Sequence, residues 1–412
     1  MGRFRFCKPA DPEDTTSGWK PIAPGTGHKH LDGWREAQQV VSEVLECDHV
    51  AVLGGLGTSL CIPLANGPRL FPTLPGLWSR AETDVTAAVL KEVREQVHYD
   101  NPENNIEVLL SRCQMALELK SDAKIADFVK KVEKVIRTAC RPALAQDATS
   151  THEGFLRKLT RRAGRVPRPS IFTTNYDLCF ETAAARVGIP VIDGFGFSGR
   201  SRFQPDIFDH DIVTGTSYSK EPGYIPRVVR LFKLHGSVDW HRVGTAFEKD
   251  DKTESPVLIY PRSGKYSASY EPPFLEMMGR FLACLRQRNV GLLVCCFGFN
   301  DKHVAEPVLA AVKSNPSLKV VVCAPDLSEA GAKELSGANS KSALSTNPYL
   351  GQLEHLESQG DGRITFLSGK FPDLVHLMPD VLLQTGAEHH ETRIQALEDW
   401  VASRNANGGN AG

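Results

Sequence analysis

No two of the ten cysteines in this 412-residue chain are spaced as CxxC. That excludes a four-cysteine zinc ribbon and argues against a disulfide framework, so the cysteines, most of them inside apolar segments, read as reduced core residues. No metal site is expected. An excess of one charge is also missing, with 48 Lys+Arg against 49 Asp+Glu, so no global field recruits nucleic acid or an anionic membrane. The basic cluster from Arg157 to Arg168 reads as the solvated face of a helix. No apolar run is long enough to span a membrane. The opening Met1-Gly2-Arg3-Phe4-Arg5-Phe6 lacks the apolar core of a signal peptide. The expectation is a cytoplasmic protein. Internal repeats are absent, and so are the lysine of a P-loop and a full GxGxxG.

What is present is an alternation of short apolar strands and helical patterns. Strand-like runs occur at Val50 to Leu53, Ser170 to Phe172, Val228 to Leu234, Val257 to Tyr260, Gly291 to Cys296, Leu318 to Cys323 and Ile364 to Leu367. Helical spacing is read at 34–48, 177–187, 272–287, 302–313 and 372–383. The fold class expected is α/β, a Rossmann-like, doubly wound and mainly parallel sheet. Between the first two of these strands the chain reads almost wholly helical, which predicts an all-helical insertion after the first strand. The division expected is an N-terminal extension over 1–32, a discontinuous Rossmann domain over 33–66 and 166–385, the helical insertion over 67–165, and a C-terminal helix and disordered tail over 386–412. The Gly-, Ser- and Pro-rich stretch 196–226 is long for a plain connection and reads as a binding loop, a lid or a disordered segment.

Five stretches could carry chemistry, four of them where an apolar strand breaks into small or polar residues. Gly54-Gly55-Leu56-Gly57-Thr58-Ser59 could bring backbone amides and the Thr58 and Ser59 hydroxyls to a diphosphate, or could be only a tight turn. In Thr173-Thr174-Asn175-Tyr176-Asp177, Asp177 suits a helix cap, whereas the Asn175 carboxamide can donate and accept toward a ligand at once. Leu234-His235-Gly236 ends a strand on an imidazole able to accept a proton near neutral pH. Cys296-Phe297-Gly298-Phe299-Asn300-Asp301 repeats the strand, turn and helix pattern. Asn105-Ile106-Glu107 reads as a capped helix start with a solvated glutamate, and His241 and His303 read as background.

In this order, TTNYD, KLHGS and FGFND behind a Gly-rich first turn make the chain resemble the sirtuin-like family, and more closely its bacterial antiphage branch that works beside a HerA-type hexameric ATPase. The loop from Gly196 to Pro205 and the segments Leu258 to Tyr266 and Asn315 to Val322 extend the resemblance over most of residues 45–325. The resemblance implies Asn175 and His235 as the catalytic pair acting on NAD+. It places Gly55, Gly57, Thr58, Ser59, Thr174 and Asp177 around the cofactor, and Gly298 and Asp301 along the adenosine half. Two positions depart from the family pattern, Leu56 within the first turn and Cys296 where glycine is usual. The absence of the zinc module carried by the family's deacetylases favours NAD+ hydrolysis to nicotinamide and ADP-ribose, in antiphage defence by NAD depletion. The resemblance also implies a homo-oligomer bound to the ATPase, which would bring any contact with nucleic acid. The alternatives are an NAD- or ADP-ribose-binding scaffold with little turnover, and a protein ADP-ribosyltransferase or deacylase.

Overall fold

A computed structural model describes residues 4–7, 19–22, 28–62, 70–100, 102, 104–142, 144–145, 147–162, 166–197, 201–215, 223–253, 256–258 and 272–379. The C-terminal helix and tail read at 386–412 lie outside these residues, as does most of the segment Leu258 to Tyr266.

Nine strands form one sheet: β1 (Phe4–Cys7), β2 (Trp19–Ile22), β3 (His49–Gly54), β4 (Ser170–Thr173), β5 (Val191–Ile192), β6 (Val229–Lys233), β7 (Val290–Cys295), β8 (Leu318–Ala324) and β9 (Ile364–Ser368). Their order is β2-β1-β9-β8-β7-β3-β4-β6-β5. The seven strands from β9 to β5 pair in parallel. On the outer edge β1 and β2 add antiparallel strands, so the segment read only as an extension contributes to the sheet. Of the Val257 to Tyr260 run only Val257–Leu258 is described, and it pairs with Gly236–Ser237 outside this sheet.

Alternate side chains explain why the sheet is covered on both sides. Ala51, Leu53, Phe172, Phe232, Leu292 and Val294 enter one apolar layer, shared with Met277 and Phe281 of helix 274–285 and Val304 and Val308 of helix 302–314. Val50, Val52, Ile171, Leu231, Leu293 and Cys295 enter the other. There they meet Ala37, Val41 and Val44 of α1 (His28–Leu45) and Phe371 and Leu374 near the chain's end. Near-continuous apolar strands buried on both faces are what a parallel sheet requires.

Among the described residues five α-helices separate β3 from β4: α2 (Leu74–Val85), α3 (Ala87–Gln96), α4 (Ile106–Leu119), α5 (Ala123–Cys140) and α6 (Ser150–Leu159). They divide the stretch read as a single insertion. The first four share a core of their own, built on Trp78, Leu109, Phe128 and Val132, and Tyr176 and Val238 from the strand-exit loops join it. By contrast, Phe155, Leu156 and Leu159 of α6 pack on the sheet. Some of the described part of the 196–226 stretch packs inward. Phe203, Ile207 and Phe208 are buried, and Phe208 stacks on Phe232 at 4.3 Å between ring centroids. Among the described residues no helix is long and apolar enough to cross a membrane.

Candidate active site

The carboxyl ends of the central strands share one register. Gly54 pairs with Cys295 on one side and Thr173 on the other, and Thr173 pairs with Lys233. The ladder runs slightly past the strands through Thr174 N–H to the Gly54 carbonyl (3.1 Å) and Leu234 N–H to the Thr173 carbonyl (2.8 Å). The four turns that follow therefore emerge side by side. Between β3 and β7 the chain reverses its direction of growth across the sheet, and crevices in open parallel sheets form at such points.

A cavity of about 380 Å³ lies there, toward the small end of ligand pockets. Of the residues expected at the site, Gly57, Thr174, Asn175, Asp177, His235, Gly298 and Asp301 line it. Gly55, Thr58 and Ser59 do not. The two hydroxyls face inward: the Asn175 Nδ2 group lies 3.0 Å from Thr58 Oγ1, 2.9 Å from Ser59 Oγ and 3.1 Å from the Gly55 carbonyl. Thr58 Oγ1 also donates to the Gly55 carbonyl at 2.8 Å, and Ser59 Oγ donates to Asp177 Oδ2 at 2.6 Å. Both residues are fully buried. Thr58 and Ser59 thus fix the Asn175 carboxamide, and of the two readings of this turn their side chains follow the structural one.

The glycines of this turn answer to packing as well. A Cβ on Gly55 would come within 2.5 Å of the Cys296 carbonyl and Phe297 Cα, and one on Gly57 within 2.5 Å of Cys296 Cβ. The space freed by glycine is filled by the neighbouring turn, so it is not an open cradle. Cys296 itself holds a left-handed φ of 51°, a conformation that favours glycine. Cys296 is buried and Leu56 is 38 % exposed, and both border the cavity.

Asp177 stands at the helix start, as expected for a cap. Its Oδ1 accepts from Cys179 N–H at 3.0 Å, fixing the start of α7 (Cys179–Arg186), and it borders the cavity. Beneath the loop, buried Lys233 donates to the Asp177 carbonyl and pairs with Glu181 at 3.1 Å.

His235 is 3 % exposed, and its Nε2 lies 2.9 Å from the Nε2 of His303. One ring must donate and the other accept, so a single proton lies between them. Burial lowers both imidazoles to about 4; for His303 the charge of His235 adds to this and Asp301 opposes it. Both are neutral at physiological pH. Burial also raises the Asp301 and Asp326 carboxyls on the cavity wall.

Two groups escaped the sequence reading. Glu107 is half-buried and not a freely solvated glutamate. Asn105 does cap α4, accepting from Glu107 and Val108 N–H at 3.0 and 3.2 Å, and this aims Glu107 into the cavity, where it accepts from Tyr176 Oη at 3.0 Å. His303 stands two residues past Asp301 on the first turn of helix 302–314, and its proximity to His235 depends on β6 and β7 lying in one sheet. Among the described residues no group of His, Cys, Asp and Glu could hold a metal ion.

Residues 169–341 match the family model of a SIR2-like domain. The matched stretch contains TTNYD, KLHGS and FGFND, whereas the Gly54–Ser59 turn and Glu107 precede it. Similar solved structures include a Sir2 homologue in complex with NAD, at 15 % identity and a TM-score of 0.39, covering 82 % of this chain and 91 % of that one. A variant Sir2 homologue in complex with ADP-ribose shows 15 % identity and a TM-score of 0.37, with 87 % and 98 % covered. No curated protein sequence matches the chain. The SIR2-like segment thus supplies β4 to β8 and both members of the expected catalytic pair.

Proposed function

We propose that this chain hydrolyses NAD+ at the nicotinamide–ribose bond, releasing nicotinamide and ADP-ribose. The observation that carries this reading is that Asn175 and His235, expected as partners from two strand ends far apart in sequence, line one cavity. As the bond breaks, nicotinamide leaves with the bonding pair and becomes neutral, and positive charge develops on the ribose. A water oxygen then bonds to the anomeric carbon and its proton passes to neutral His235. Attack on so electrophilic a carbon needs only a weak base, which suits an imidazole lowered to about 4. Asn175, its amide nitrogen held by three acceptors, is oriented in advance to direct the water, the kind of positioning that gives an enzyme much of its rate.

The wider role belongs to the same proposal and rests on the sequence resemblance alone: bacterial antiphage defence by NAD depletion, restrained by homo-oligomeric assembly with a HerA-type ATPase. One observation favours a second reading, an NAD- or ADP-ribose-binding scaffold with little turnover. The Thr58 and Ser59 hydroxyls are already engaged, and Leu56 occupies the cavity wall. NAD+ consumption by the purified full chain, alone and with the ATPase, separates the two. Turnover that falls about 10²-fold or more in Asn175→Ala and His235→Ala supports hydrolysis. Binding without turnover supports the scaffold.

A further inference from the structure

Glu107 comes from the helical insertion and not from the sheet, yet its carboxyl borders the cavity with Asn175 and His235. Its one described hydrogen bond is from the neutral Tyr176 hydroxyl. Among the described residues no lysine or arginine lines the cavity, while Asp177, Asp301 and Asp326 do. A half-buried carboxylate without a cationic partner is costly, and it either takes a proton or waits for a cation.

We propose that Glu107 is a third catalytic group of this site, its carboxylate lying against the cationic nicotinamide–ribose end of the dinucleotide and stabilising the charge that grows on the ribose. The inference rests on the NAD+ reading and assigns the orientation within it: the nicotinamide end faces the insertion. The carboxylate gains nothing covalent and releases no proton; it acts only through its charge. The titratable groups around it are Tyr176 on the TTNYD loop, Asp301 at the start of helix 302–314, and Cys140 at the end of α5. Burial first, and Asp301 second, push the Glu107 carboxyl up to about 7, opposed by the Tyr176 hydroxyl. The charged form that the reaction needs is therefore populated above neutral pH.

The test uses the full chain in whichever assembly state turns NAD+ over. Wild-type kcat/KM, which reports the free enzyme, is expected to rise with pH across a limb near 7. Glu107→Gln should lower kcat at pH 8 by about 10²-fold and abolish that limb. Tyr176→Phe removes a hydrogen bond to the charged form, so its limb should move to higher pH. Calorimetry adds a readout independent of turnover: Glu107→Gln should weaken NAD+ binding about tenfold and leave ADP-ribose, which lacks nicotinamide, unchanged. Wild-type kcat and an unmoved limb in Glu107→Gln, or equal weakening toward both ligands, would overturn the proposal. A wild-type protein that neither binds nor consumes NAD+ in any assembly state overturns the hydrolase reading itself, and this inference with it.

Discussion

Residue scale shows the closest fit between neighbouring turns. The three nearest atoms that a Cβ on Gly57 would meet all belong to Cys296. Gly57→Ala should therefore destabilise the fold by about 1–3 kcal/mol, the usual cost of overpacking. Cys296→Gly removes both the obstructing side chain and a side-chain-bearing residue at φ 51°, so the double variant should recover most of that loss. Denaturant unfolding of the two single variants and the double variant measures the coupling; additive losses would show that the clash is not with Cys296. The same pair shows where local reading stops. Leu56 and Cys296 were visible as departures from the family pattern, but that both border the cavity, with Cys296 also packed in the core, depends on how two turns 240 residues apart interlock.

Element boundaries were legible where the pattern is local. The β-branched runs that became β3, β4, β6, β7, β8 and β9 each carry their own apolar signal, and helix 302–314 matches its predicted start. Two-residue β5 has no room for a pattern. The side on which α6 packs was not legible either, because its amphipathic spacing fits an insertion core or a sheet equally well. Helix-to-sheet distance is set by a residue with no pattern at all. A Cβ on Gly291 in β7 would stand 2.0 Å from the Val44 carbonyl of α1, which is backbone and cannot swing aside. Gly291→Ala should push α1 off the sheet and cost about 3 kcal/mol, near the upper end for overpacking. A fall in the urea midpoint at unchanged slope would show it; an unchanged midpoint would mean that α1 is not tightly seated.

At the scale of the whole molecule, His152 joins the segments. It is fully buried on α6 between Phe180 and Phe371, at 5.2 Å from each ring centroid, and neither ring nitrogen has a described hydrogen-bond partner. Burial lowers it to about 4. The unfolded chain then binds this proton near pH 6.5 and the folded one only near 4, so stability from His152 is complete above 6.5 and lost as pH falls through that window. Relative to wild type, His152→Leu should gain roughly 3 kcal/mol between pH 7 and pH 4. Unfolding free energies at several pH values check the sign; a constant difference would show that the imidazole titrates normally. That Asn175 and His235 border one cavity could be read from the sequence because each motif sits at its own strand end. Glu107 and His303 could not, since their place is set by four helices closing over the sheet and by the order of its strands. The shared register of Gly54, Thr173, Lys233 and Cys295 also governs tolerance to changes in chain length. A residue added in a loop between the helices of the insertion alters only a connection, whereas one added within β4 or β6 turns every later side chain of that strand to the opposite face. Natural variation in length should therefore gather in the helical insertion and spare the strands.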